Sequence, residues 1–461
     1  MAMEDSESAN VLLNPQKKDE DEQTRAVGWT LGRDMLDYVE RLNSLVTAVQ
    51  LFMKAFDSYQ DMTMSHIRQY AEEHNLNLEH SDTEGTLIVT YGQDDVQAVE
   101  AFDRSIKRGR GAYTVIPRSL FVSMVSEYET LLDRLLTTVF TLQPAMCNQL
   151  KMPSFLTVEK ALTFESIGAM RQHIIDAEVE HMMRGNSEEQ LEYLNGKAHV
   201  DVKKICDGVP EMYEASERRN LYVHCDGHVS QQYLNECSRL HAKPADSACE
   251  GTIVEITPAY FFATRKWLLV LGLEIGTTVW WNVFPQDRDQ IASFINDDVL
   301  LALLSEGSNE AAAVLGEYAL KQFRKGLLEP SQRCIIINTA QAYKWNGAAG
   351  QCSRMLKSVN WDASADYLKL GVAVLKENYG KVVGYMMNMG SHGYVTQDNY
   401  RDWPLFKEFR NTPEFADAYA RVFGQPFRDC TKVTTSIVSV DASKEEASDA
   451  VVQQASNPPA S

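Results

Sequence analysis

The feature that most restricts the fold of this chain is the helical spacing of its apolar residues. From Trp29 to about His74, apolar side chains recur at steps of three and four residues, which places them on one face of a helix. They are Leu36, Val39, Leu42, Leu45, Val46, Val49, Phe52, Met53 and Phe56. Long runs that alternate β-branched and polar residues are scarce, so the sequence predicts an all-α fold built around a helical bundle.

The same spacing continues through the central part of the chain. A strong helix is predicted over Ser119–Leu142, with Pro117 before it and Ser119 as its N-cap. The most apolar window, Trp267–Trp281, contains Glu274 and two glycines and falls short of a membrane span. We therefore expect that window to be a buried helix and the protein to have no membrane partner.

Further helices are predicted from Asp297 to about Asp429. The segments Cys334–Leu356 and Tyr367–Met387 each have the pattern of a helical hairpin, although no repeat consensus is present. Together these patterns predict five regions. They are a disordered tail at 1–26, a mainly helical N-terminal region with a basic arm at 27–116, a helical bundle at 117–295, a C-terminal helical region with helical hairpins at 296–431 and a second disordered tail at 432–461.

Charge and cysteine usage exclude several classes of protein. A formal net charge of −20 excludes general attachment to nucleic acid, because phosphate binding requires an excess of cations, so any such role must be local. The eight cysteines include no CxxC pair, and the N-terminus lacks a basic segment followed by an apolar one. We therefore expect a reduced, cytoplasmic protein. Walker A, GxGxxG and GxSxG sequences do not occur.

One local excess of cations stands before the predicted bundle. The fifteen residues from Arg104 to Arg118 contain five cations and no acid. The cations are Arg104, Lys107, Arg108, Arg110 and Arg118. Two interpretations remain open: a solvated helix end whose cations complement the helix dipole, and a glycine-spaced mobile arm that binds RNA phosphates.

The densest set of chemically active side chains is ERRNLYVHCDGHVSQQYL, residues 217–234. On a helix, Glu217, Asn220 and His224 share one face, Arg219 lies to one side of it and Arg218 flanks the other edge. Imidazole exchanges protons near neutral pH, and guanidinium is the best bidentate donor to phosphate. These groups suit phosphodiester cleavage. The alternative is an interior histidine held by Glu217 or Asn220, with the arginines as surface charges.

A resemblance favours the first interpretation. The stretch RNLYVH resembles the Rx4-6H motif of the HEPN superfamily, with Arg219 as its arginine, Asn220 as the polar residue after it and His224 as its histidine. The continuation CDGHVSQQYL is similar to a tail in long uncharacterised bacterial HEPN-domain proteins of defence or toxin type. The resemblance covers residues 117–285 and extends loosely into the C-terminal half.

The resemblance implies a helical bundle that forms a homodimer and cleaves RNA without a metal or other cofactor. His224 would act as the acid or base on the ribose 2′-OH or the leaving oxygen, and Arg219 would stabilise the phosphate. Asn220 would orient His224 or donate to a phosphate oxygen, with Arg218 and Glu217 as secondary candidates. Such proteins act in phage defence or toxin–antitoxin systems, so we expect a regulatory protein partner, which the C-terminal region would sense or bind. The alternative is a catalytically inactive HEPN-like module that binds nucleotides or proteins.

A zinc site is the main rival interpretation of the same segment. His224, His228, Cys237 and His241 form an H-x3-H…C-x3-H pattern of residue types that bind zinc. Gly227 makes a regular helix across the first pair doubtful, and the second half is unlike common zinc motifs. The preferred interpretation therefore assigns no metal.

The basic segment generates the first testable prediction. Replacing Lys107, Arg108 and Arg110 by serine should raise the apparent KM for RNA and flatten its salt dependence, because fewer counterions are released on binding. The single-turnover rate at saturating RNA should change little, since none of these groups exchanges protons near pH 7. Binding as tight as wild type at every salt concentration would assign the segment to a solvated helix.

Overall fold

The computed structural model describes residues 15–80, 87–147, 157–201, 204 and 208–428. Helix dominates these residues, and the all-α prediction is confirmed. The predicted tail at 432–461 lies outside the described residues, as does the part of the first tail at 1–14. The rest of that tail, 15–26, forms the first turns of the first helix.

The first half of the described chain contains nine α-helices, a short 3-10 helix (Gln93–Asp95) and one hairpin. The helices are α1 (Pro15–Glu73), α2 (Val96–Leu142), α3 (Pro144–Cys147), α4 (Val158–Ala161), α5 (Ile167–Met183), α6 (Ser187–Ala198), α7 (Val209–His224), α8 (Gln231–Arg239) and α9 (Pro258–Val283). Strand β2 (Leu87–Thr90) pairs antiparallel with β1 (Asn77–His80). The hairpin connects α1 to α2.

The second half is also helical. Its helices are α10 (Arg288–Ser293), a π-helical stretch (Phe294–Leu300), α11 (Leu301–Ser305), α12 (Asn309–Gln322), α13 (Glu329–Trp345), α14 (Ala349–Lys357), α15 (Asp366–Leu375), α16 (Tyr379–Met389), α17 (Gln397–Asp402) and α18 (Pro413–Phe423). The chain divides into two compact units, Met1–Lys376 and Glu377–Ser461. The described part of the second unit has an aromatic core that includes Tyr400, Phe406, Phe409 and Phe415.

The core of the first unit is built where α1 and α2 meet α9. Two glycines of α9 allow this approach: a Cβ on Gly272 would lie 2.5 Å from the Tyr38 ring, and one on Gly276 would lie 2.5 Å from the Met35 sulfur. The Tyr38 hydroxyl donates to the carbonyl of Leu268 at 2.7 Å. Side chains of α1 therefore rest directly on the backbone of α9, and a residue larger than glycine at either position would push the two helices apart.

Helix α9 contains the apolar window predicted to be buried, and that prediction is confirmed. Every residue from Leu268 to Trp280 is buried. No single described helix is both long and apolar enough to cross a membrane. Pro258–Val283 and Pro285–Ser305 reach that length and composition only as a pair, with a bend of 110° between them.

The predicted helix start at Ser119 is wrong. Helix α2 begins at Val96 and continues through Pro117, and the Ser119 hydroxyl donates to the carbonyl of Val115 at 3.0 Å inside the helix. Proline removes one backbone donor. Tertiary contacts lie on either side of it, because Tyr113 packs on Phe56 and Phe121 lies in the central core. The boundaries at 116/117 and 295/296 thus fall inside α2 and the π-helical stretch.

After Met53 in α1 and before Leu120 in α2, the two helices pack on one another instead of on the central core. Phe56 contacts Tyr113, with ring centroids 4.8 Å apart, and the Tyr59 hydroxyl donates to the carbonyl of Ser105 at 3.0 Å. The basic segment from Arg104 to Arg110 lies on this helix pair. Its predicted form, a glycine-spaced mobile arm, is wrong because the segment is helical and Gly109 is buried beneath Tyr59.

The two predicted helical hairpins have different outcomes. Helices α13 and α14 pack together over Cys334–Leu356, which confirms the first hairpin. The helices of the second are present as α15 and α16, but the boundary between the two compact units falls between them, after Lys376.

The packing of α1 on α2 generates a prediction about two neighbouring glycines. Ala at position 111 should stabilise the helix by up to about 1 kcal/mol, because a Cβ there meets no atom within 4 Å. Ala at position 109 places a Cβ 2.8 Å from the Tyr59 ring, which Ser105 holds in place. Chemical denaturation should therefore show Gly109→Ala less stable than Gly111→Ala by about 1–2 kcal/mol. Equal stability of the two variants would contradict this packing.

Candidate functional site

The segment 217–234 spans the end of α7, a tight turn and helix α8. Gly208 precedes α7, Pro210 occupies its first turn, and the helix ends at His224. The chain then reverses through Asp226 and Gly227, whose φ angles are 48° and 82°. The amide of Gly227 donates to the carbonyl of Leu221 at 3.0 Å, which closes the helix end. The Asp-Gly pair is therefore the local signal that stops α7 at His224.

Arg218 lies in a buried polar cluster beneath α7. Its Nε donates to Glu214 at 2.8 Å, and its guanidinium lies 3.6 Å from the centroid of the Tyr260 ring. The Glu214 carboxylate also accepts hydrogen bonds from the hydroxyls of Tyr260 and of Tyr233, the latter at 2.6 Å. One carboxylate thus joins α7 to α8 and α9.

This burial corrects the position expected for Arg218 at the edge of an open groove. Its side chain is only 6% exposed. Desolvation by itself would lower the pKa of Arg218, but Tyr260 and Glu214 outweigh it and the pKa is raised. The guanidinium is a permanent cation whose partners are internal, so Arg218 holds the helices together and does not reach a ligand.

Arg219, the next residue, points to α2 and forms an ion pair with Glu129. The same guanidinium donates to the side-chain oxygen of Asn220 at 3.2 Å. The Arg219 side chain is 23% exposed, nearly four times the exposed fraction of Arg218. Arg219 is therefore oriented by two partners and remains accessible to a ligand.

Asn220 connects Arg219 to Glu217. Its oxygen accepts from Arg219, and its side chain also hydrogen-bonds the Glu217 carboxyl. Burial raises the pKa of Glu217, while the Asn220 hydrogen bond and the charge of Arg219 oppose that rise. Arg219, Asn220 and Glu217 therefore lie together on α7. The Asn220 amide was expected to orient His224 or to donate to a phosphate oxygen, and in this structure its partners are Arg219 and Glu217.

His224 lies apart from this group. It is the last residue of α7, it is exposed, and within the described residues no hydrogen bond joins it to Arg219 or Asn220. Five helical positions separate His224 from Arg219, so the two side chains begin about 7.5 Å apart along the axis and point to different faces. The interior-histidine interpretation is wrong, because the imidazole faces solvent.

Arg118 reaches the same end of α7 from helix α2. Its Nη1 donates to the carbonyl of Asp226 at 3.3 Å and lies 3.5 Å from the Asp226 carboxylate. The guanidinium also lies 5.2 Å from the centroid of the Tyr222 ring and packs against Gly227. Arg118 therefore contacts the turn after His224, whereas the other four cations of the basic segment lie earlier on α2.

The remaining basic residues are partly neutralised by acids one turn earlier in α2. Arg104 lies 3.4 Å from Glu100, and Lys107 lies 2.7 Å from Asp103. Arg108 and Arg110 are exposed. Because Glu100 and Asp103 lie just before the basic segment and pair with two of its cations, the local excess of positive charge on the folded helix is smaller than the segment alone suggests.

The zinc pattern does not converge in the structure. Cys237 is buried against the Glu214 cluster, where desolvation raises the pKa of its thiol to about 11, whereas His224, His228 and His241 are exposed. Across residues 15–80, 87–147, 157–201, 204 and 208–428, no three His, Cys, Asp or Glu side chains form a group able to hold a metal.

In comparisons with known proteins, no family model, no curated protein and no solved structure matched this chain.

The sequence did not reveal Glu129 and Glu214, the two acids that hold the predicted arginines in position. Glu129 is remote from the motif along the chain, and nothing in α2 marks it as the partner of Arg219. Glu214 precedes the motif by one turn, but its burial depends on Tyr233 and Tyr260. The Asp-Gly pair after His224 was the available signal for a turn that would place His228 near the helix end.

The contrast between the two adjacent arginines gives a prediction for stability. Arg218→Met should lower the free energy of unfolding by about 3–5 kcal/mol, because it leaves the Glu214 carboxylate buried without its cation. Arg219→Met should cost about 1 kcal/mol or less, because its ion pair with Glu129 is partly hydrated. Chemical denaturation followed by circular dichroism measures both. Equal losses would mean that Arg219 is as structural as Arg218.

Proposed function

We propose that this protein is a metal-independent endoribonuclease of the HEPN type. The ribose 2′-oxygen attacks the adjacent phosphorus while His224 removes or supplies a proton at the reacting oxygens. The bond from phosphorus to the 5′-oxygen breaks, which leaves a 2′,3′-cyclic phosphate and a 5′-hydroxyl. Arg219 stabilises the negative charge that grows on the phosphate, a role that an oriented guanidinium performs well.

The observation that supports this proposal best is the convergence at the end of α7. His224 and Arg118 were predicted separately, one for proton transfer and one for RNA binding, and they are remote in sequence. In the structure Arg118 binds Asp226, two residues beyond His224. The turn that follows the exposed His224 imidazole therefore also holds a guanidinium, and these are the two kinds of group that move a proton and bind a phosphodiester.

In the proposed reaction, Arg219 releases the Glu129 carboxylate and binds the RNA phosphate in its place. Its guanidinium is bound to the Glu129 carboxylate, and a phosphate oxygen replaces that carboxylate when RNA binds. Asn220 keeps the guanidinium in place during the exchange, since its hydrogen bond at 3.2 Å is independent of Glu129. The separation of Arg219 from His224 favours a homodimer in which each site draws residues from both copies.

A second function has its own supporting observation. Both arginines of the motif have carboxylate partners within the chain, Arg218 with Glu214 and Arg219 with Glu129. Neutralised guanidiniums favour a catalytically inactive module that binds nucleotides or proteins. The two functions differ in whether purified protein breaks RNA.

Cleavage in the presence of excess EDTA tests the proposal. Mixed RNA incubated with the protein should acquire new ends with 2′,3′-cyclic phosphate, and His224→Ala or Arg219→Ala should abolish them while circular dichroism stays unchanged. The double variant should be no worse than either single one, because residues that act as a unit are not additive. His241→Asn, at another exposed histidine, is the matched control and should cleave normally. RNA left intact by wild type at every protein concentration would favour the binding module.

A further inference from the structure

The turn after α7 carries a second histidine whose ring orientation is fixed. The amide of His228 donates to the carbonyl of Cys225 at 2.9 Å, and the His228 Nδ1 lies 3.1 Å from the same oxygen. A carbonyl oxygen only accepts hydrogen bonds, so Nδ1 carries the proton. In the neutral imidazole, Nε2 is then the unprotonated nitrogen, and the exposed ring can present it to a ligand.

The backbone places His224 immediately before a tight turn and His228 at the end of that turn. Residues 225–228 form a tight turn in which Asp226 and Gly227 both adopt positive φ, and the first and fourth Cα atoms of such a turn lie within about 7 Å of each other. His224 directly precedes this turn. The carbonyl of Gly227 accepts from the amide of Val254 at 2.9 Å, and His228 pairs with Ile253 as an isolated β-bridge.

Charged groups of both signs surround this turn. Arg118 is bound to Asp226 at the centre of the turn, and its side chain is only 16% exposed. Asp226 is the acid on the turn itself, and Glu250 and Glu255 flank the strand-like segment that pairs with His228. Two exposed imidazoles and one fixed guanidinium therefore lie around a single turn.

We propose that His228 is a second proton-transfer residue, which acts on the same phosphodiester as His224 of the same chain. This inference rests on the proposed function. Cleavage by 2′-OH attack needs one group to remove the 2′-proton and another to protonate the leaving 5′-oxygen. With Nδ1 held by Cys225, the Nε2 of His228 accepts the first proton, and protonated His224 supplies the second. Arg118 positions the turn, and no second subunit is needed for the acid–base pair.

His228→Asn separates a catalytic role from a structural one. Asparagine can still donate to the Cys225 carbonyl, so the helix end is retained, but it cannot exchange protons near neutral pH. We expect kcat to fall about 100-fold or more with KM little changed and one limb of the pH profile lost. In His228→Gly, added imidazole should restore part of the rate. His241→Asn should match wild type. An unchanged kcat and pH profile in His228→Asn would overturn the inference while leaving the proposed function intact.

Mixing variants tests whether both histidines act in one chain. Chains with His224→Ala and chains with His228→Asn should remain inactive when combined, because no chain then holds both groups. Recovery of cleavage in the mixture would show that the two imidazoles come from different subunits and would overturn the proposal.

A probe that cannot be cleaved gives a readout besides activity. A 2′-deoxy hexanucleotide should shift the imidazole proton resonances of His224 and His228 in wild type, leave His241 unchanged, and lose this effect in Arg118→Met. If wild type leaves RNA intact, the proposed function fails, and an unshifted His228 resonance then overturns the inference as well.

Discussion

The structure depends first on the close approach of α1 and α9. Gly272 and Gly276 leave room for Tyr38 and Met35 to rest on the backbone of α9, and Tyr38 adds a hydrogen bond to the Leu268 carbonyl. Interiors are packed as densely as organic crystals, so a methyl group at either glycine would separate the helices. This contact fixes where α9 lies, and α6, α7, α10 and α12 pack against α9 in turn.

Helix α7 takes its position from α9 through one buried carboxylate. Glu214 accepts from Tyr260 of α9 and Tyr233 of α8 and pairs with Arg218. Burying charge is costly unless every partner is present, so this cluster specifies one arrangement of the three helices. Adjacent residues of a helix point in directions about 100° apart, so with Arg218 directed inward, Arg219 points toward α2 and forms an ion pair with Glu129.

The residues of the motif at 217–224 therefore lie in two separate places on α7. Arg219, Asn220 and Glu217 form a hydrogen-bonded group along α7, whereas His224 lies at the open end of the helix with His228 and Arg118. In the proposed chemistry the first group binds charge and the second moves protons. In that proposal, the turn that stops the helix also supplies the second imidazole.

The sequence by itself determined the all-α class, the buried helix around Trp267–Trp281 and the pairing of α13 with α14. Those features follow from the spacing of apolar residues, which is a local property. It also placed Arg219, Asn220 and His224 on one helix, because their spacing is local too. Local rules failed at Pro117, where α2 continues through the proline and is packed before it at Tyr113 and after it at Phe121.

Tertiary structure alone decided which of two adjacent arginines is buried. It also decided that Glu129 meets Arg219 and that Arg118 reaches the turn after His224. These contacts join residues that are far apart in the chain, and no periodicity along a single helix encodes a partner on another. The physical reason is that the partners of a charged or polar side chain are set by what surrounds it once the helices pack, whereas the apolar spacing that indicates a helix is carried by the segment's own residues.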